Sequence, residues 1–127
     1  MYAAIGVAEF RRYEEKALRG LATQPDRVIA TGGGFVENPG SYDLVSRLGN
    51  VFFLDCGIDV LTARISAMPA RPMFQKLGIR ETLEILERER VGKYRTLSKH
   101  TVDVNQDSSL IVDEIIVWLH SSGREAI

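Results

Sequence analysis

Four arginines and one run of three glycines are the residues best suited to chemistry in this sequence. Arg11, Arg64, Arg71 and Arg90 each lie near the end of an expected element or in a loop. A guanidinium makes planar, paired contacts with carboxylate or phosphate and stacks on flat rings. Taken singly, each reads first as a surface residue, except Arg71. Arg71 sits in a loop flanked by Pro69 and Pro72, a poor place for a purely structural charge. Gly32-Gly33-Gly34 directly follows Val28-Ile29-Ala30-Thr31, a short stretch with strand character. Consecutive glycines cost backbone entropy, so they imply unusual dihedrals or a close approach. Their bare N–H groups would suit phosphate, carboxylate or hydroxyl oxygens. A glycine-rich turn without a ligand is the other reading of the same residues. His100 and His120 have no partner at ligand spacing, so neither a metal centre nor a triad is expected. Cys56 has no basic sequence neighbour to lower its pKa and is expected to be inert.

The elements that must position these residues belong to one domain, 1–127, of ordinary globular composition. It is 45% hydrophobic and 26% charged, with a net charge of −1. That charge gives no reason to expect a nucleic acid partner, and no apolar run is long enough to span a membrane. With a single cysteine and no basic-then-apolar leader, the chain is expected to be cytoplasmic.

Steps of three and four between apolar residues predict a helix over 3–22, with Val7, Phe10, Tyr13 or Glu14, Ala17, Leu18 and Leu21 inward and pairs such as Arg11–Glu15 outside. Strands are expected at Val28–Thr31, Val51–Asp55 and Thr101–Val104. Further helices are expected from Ser41, as N-cap, to Leu48, over 58–67, over 79–97 and over 109–121. In the last, Ile111, Ile115, Trp118 and Leu119 are the expected inward face. The segment 68–78, broken by prolines, reads as a loop. Strands alternating with helices predict an α/β fold with a three-layer parallel sheet.

The set Phe10-Arg11-x-x-Glu14, Ala30-Thr31-Gly32-Gly33-Gly34, Val51-Phe52-Phe53-Leu54-Asp55, Arg71-Pro72 and Arg90-x-x-x-Tyr94 resembles shikimate kinase in order and spacing. That family consists of P-loop kinases of the nucleoside-monophosphate-kinase type. They move the γ-phosphoryl of ATP to the shikimate 3-hydroxyl, with magnesium, in aromatic amino-acid biosynthesis. The resemblance implies that Arg11 and Arg90 hold the shikimate carboxylate and that Gly32, Gly33 and Gly34 form a platform under the ring. It implies that Arg71, in a lid over about 68–78, offsets charge on the transferred phosphoryl group. Arg64 would stack on adenine, Gln106 would lie near it, and Glu14 would orient Arg11. Shikimate and ATP are the implied partners, and a monomer the implied state of intact members.

The sequence departs from the family at its start. No G-x-x-x-x-G-K-S/T loop occurs; the one Gly-Lys pair, Gly92-Lys93, is followed by Tyr94 on an expected helix. Gly92 stands where proline is frequent, and Gln106 where a basic residue is common. The expectation is therefore a truncated P-loop fold holding strands 3, 4 and 5 of a 2-3-1-4-5 sheet, inactive by itself. The alternatives are a non-catalytic binder of a small carboxylate, or a kinase for another polyol such as gluconate. Losing the central strand would leave a gap of about two strand spacings, closed by direct pairing, filled by another copy, or tolerated at low stability.

Overall fold

A computed structural model describes residues 2–69, 74 and 77–121, with side chains described from residue 6 onward. They form two compact units, Met1–Val51 and Phe52–Ile127.

The first unit begins with helix α1, Tyr2–Ala22, which is kinked at Gly6 (φ 80°, ψ 170°). Leu18 on this helix is buried. Val7 and Tyr13 are about half exposed, so the inward stripe is narrower than the apolar spacing suggests. Beyond α1 the expected strand Val28–Thr31 does not form: the segment joins no ladder, and Val28 is fully exposed. β-propensity marks a fit to a pleated, half-buried surface, and among the described residues no strand pairs with this segment to supply one. A 3-10 helix, Gly33–Glu37, follows, with Gly34, Phe35 and Val36 buried. Burying such a side chain contributes about 1.5–3 kcal/mol, which anchors the glycine run from its carboxyl side. Helix α2, Pro39–Arg47, is capped by Asn38 rather than by Ser41, with proline in its first turn. Ser41 instead lies fully buried inside the helix.

The second unit holds a parallel sheet of two strands, β1 (Phe52–Asp55) and β2 (His100–Asp103), in the register Phe52↔His100 through Asp55↔Asp103. Parallel strands need a long crossover. Here α3 (Ile58–Ser66) and α4 (Ile79–Leu97) provide it, and they pack on each other. Gly78, at φ 83°, caps α4 in a conformation that a side chain would strain. Helix α5, Ser108–Ser121, packs on β2, whose Val102 is completely buried. Phe52 meets Trp118 edge-on at 5.2 Å, and His100 stacks on Trp118 at 5.9 Å. Leu119, expected inward, is 37% exposed. The expected parallel α/β class is what the molecule shows, built here from the second and third of the three expected strands.

Candidate functional site

In the first unit, Arg11, Glu14 and the glycine run come together. Arg11 Nη1 donates to Glu14 Oε1 at 3.2 Å, and the two side chains are only 16% and 13% exposed. The expected Arg11–Glu15 pair is not formed. Glu15 turns to Arg19 at 2.9 Å and to the start of α2. The Arg11 guanidinium also lies 5.5 Å from the centre of the Phe10 ring.

The glycines explain why α1 can approach so closely. None of Gly32, Gly33 and Gly34 has a positive φ, so unusual dihedrals are not the reason for glycine here. A Cβ on Gly34 would collide with the Arg11 guanidinium, and one on Gly32 would sit 2.8 Å from Glu14 Oε2. At Gly40 the Glu15 carboxylate fills the corresponding space. At all three positions the missing side chain leaves room for the end of a long side chain from α1. The result is a half-buried guanidinium, braced by a carboxylate, lying against bare backbone. A guanidinium has five N–H donors, so one bond to Glu14 is compatible with a paired contact to an anionic ligand.

In the second unit, a cavity of about 350 Å³ opens at the carboxyl end of β1. Asp55, Cys56, Leu83, Arg90 and Tyr94 are among its walls. Strand carboxyl ends are where α/β proteins place ligands, and Arg90 stands there. Phe53 and Tyr94 close one side, with ring centres 5.2 Å apart, and Arg95 Nη2 lies 3.7 Å from Asp55. A larger depression of about 470 Å³ runs along α4 between Glu84, Glu87, Arg88 and Arg95. Those side chains solvate a helix face, so the smaller cavity is the better ligand candidate.

Arg64 and Gln106 meet at one loop. Arg64 Nη2 donates to the Val104 carbonyl at 2.9 Å, and Gln106 Nε2 donates to the Asp103 carbonyl at 2.6 Å. The Val104 N–H donates to Asp55 O at 2.9 Å, fixing the loop to the strand end. Burial raises the Cys56 thiol above its ordinary value; Arg64 opposes this, and Asp55 and Asp103 reinforce it. A basic neighbour therefore exists, unseen in sequence because it lies on α3, and burial outweighs it.

Arg71, with most of the expected lid, lies outside the described residues. Among the described residues no group of three or more His, Cys, Asp or Glu side chains could hold a metal ion, and no helix is long and apolar enough to cross a membrane. His100 does have a partner, Glu114 Oε2 at 2.9 Å from its Nε2, in a pair too small for a metal centre. The sequence did not show that Asn38, the N-cap of α2, and Glu15, reaching across from α1, support the site. The Asn-Pro pair, a good cap followed by a good first helical residue, was the available signal.

Comparison with known proteins identifies the family. The family model for shikimate kinase matches residues 1–120. The chain is 34% identical over 117 residues to a shikimate kinase of Lactococcus lactis subsp. cremoris, covering 91% of this chain and 70% of that protein. It is 36% identical over 117 residues to shikimate kinase 2 of Dickeya chrysanthemi, covering 90% and 67%. Among solved structures, the shikimate kinase of Acinetobacter baumannii in complex with shikimate superposes with a TM-score of 0.83 at 24% identity, over 96% of this chain and 68% of that one. The Bacteroides thetaiotaomicron enzyme gives 0.78 at 23%, over 94% and 70%. This chain thus spans roughly two thirds of the length of its relatives. On the extent of the family match and the identity to these relatives, the chain belongs to the shikimate kinase family.

Proposed function

We propose that these residues form the shikimate-recognising and adenine-side part of an ATP-dependent, cytoplasmic shikimate kinase acting on the 3-hydroxyl. The observation that carries this reading is the Arg11 guanidinium, braced by Glu14 and seated in the space left at Gly34. Arg11 and Arg90 take the substrate carboxylate, and the Gly32–Gly34 backbone borders the ring. Arg64 and Gln106 hold the adenine end through the loop they both bind. ATP, with magnesium, supplies the phosphoryl group; Arg71 offsets the charge that develops during transfer. The family match favours shikimate over another polyol such as gluconate.

The 127 residues contain no phosphate-cradling loop with its lysine. By themselves they are expected to bind shikimate without phosphorylating it. A coupled ADP-release assay and a calorimetric titration on the purified chain test this together. The expected result is heat of binding, with affinity weakened about tenfold in Arg11→Ala and in Arg90→Ala, and no turnover. Turnover near that of a full-length kinase, or binding unchanged in both variants, would overturn the reading.

A further inference from the structure

Asn38 does more than a helix cap requires. Its Oδ1 accepts from the Gly40 N–H at 3.3 Å, which is the capping bond of α2. Its Nδ2 faces three acceptors: the Arg11 carbonyl at 3.4 Å, Glu15 Oε1 at 3.2 Å and Ser41 Oγ at 3.1 Å. With an N–H donor on one side and acceptors on the other, the amide orientation follows from the network. Capping needs only an acceptor, and Ser or Asp supplies one about as well as Asn. A side-chain amide here can cap α2 and donate to α1 in the same geometry.

What Asn38 grips on α1 is the turn that carries Arg11. The Glu15 carboxylate occupies the space over Gly40, against the N-terminus of α2, where a helix favours negative charge. Arg19 holds the same carboxylate from the other side at 2.9 Å. Arg11 is thereby fixed at two points, its carbonyl by Asn38 and its guanidinium by Glu14. We propose that Asn38 is a positioning residue for Arg11, setting its guanidinium over Gly34 for a substrate carboxylate. This rests on the assignment of Arg11 to the carboxylate.

The test uses Asn38→Ser, which keeps a cap but cannot span to α1. Two quantities are read: the Arg11 Nε–H resonance of the ligand-free protein in a nitrogen-15 NMR spectrum, and shikimate affinity by calorimetry. The resonance is expected to shift and broaden while the thermal midpoint stays close to wild type. Affinity is expected to fall about three- to tenfold, the equivalent of one or two modest hydrogen bonds. In an Arg11→Ala background the same substitution should change affinity by less than about twofold, since coupled sites are not additive. An unmoved resonance, or an equal loss with and without Arg11, would overturn the proposal. If Arg11→Ala alone leaves affinity unchanged, the carboxylate assignment fails, and the resonance still decides whether Asn38 positions Arg11.

Discussion

The Arg11 guanidinium occupies the space that a Cβ on Gly34 would need. The glycine and the arginine are therefore one feature: the loop has no side chain at that point because α1 delivers one. Gly34→Ala is expected to displace the Arg11 guanidinium at a cost of about 1 kcal/mol, the low end for overpacking, because the end of a flexible side chain can move aside. Gly20, exposed near the end of α1 with nothing close to its missing Cβ, is the control. Gly20→Ala is expected to gain up to about 1 kcal/mol from helix propensity. Urea unfolding of the two variants checks this; equal effects would mean that Gly34 has no packing role.

Cys56 gives a test of the strand-end environment. Burial raises its thiol, so at neutral pH less thiolate is present than in a free cysteine. Alkylation by iodoacetamide should be slower than for a model thiol, and its rate should rise through a pH above the ordinary thiol range. Arg64 is the influence that lowers this pKa, so Arg64→Ala should move the profile to still higher pH. A profile shifted to lower pH in the variant would contradict the arrangement.

The contact of β2 with α5 can be read through the single tryptophan. His100 stacks on Trp118 at an interplanar angle of 24° and meets Glu114 at 2.9 Å. His100→Ala should cost about 1–2 kcal/mol for the lost ring contact and hydrogen bond. It should also shift the Trp118 emission in the folded state. Unchanged stability together with unchanged emission would show that this contact does not form in solution.

Much of this was legible in the chain, and the exceptions have physical causes. Helix α4 matches its expected span because its apolar stripe needs only its own sequence. Val28–Thr31 has the residues of a strand but no neighbour to pair with, and a strand exists only in a ladder. Arg11 could reach Glu14 or Glu15, since both share its helix face. The choice is made by Gly40, which draws Glu15 to α2 and leaves Glu14 for Arg11. The glycine run announced either strain or close approach, and only the position of α1 distinguishes them. Residue type marked Arg11 and Arg90 as able to bind an anion, and only the family resemblance paired them on a carboxylate; their supports, Asn38 and the β1 end, depend on tertiary packing.

Arg11, held over Gly34, is proposed to recognise a carboxylate. Calorimetric titration of wild type and Arg11→Ala with shikimate and with its methyl ester, which lacks the charge, tests it most directly. Wild type is expected to prefer shikimate over the ester by at least about tenfold, the scale of a charge-assisted hydrogen bond. Arg11→Ala should lose most of that preference while binding the ester as wild type does. Equal affinity of wild type for acid and ester, or a preference that survives intact in Arg11→Ala, would contradict the account.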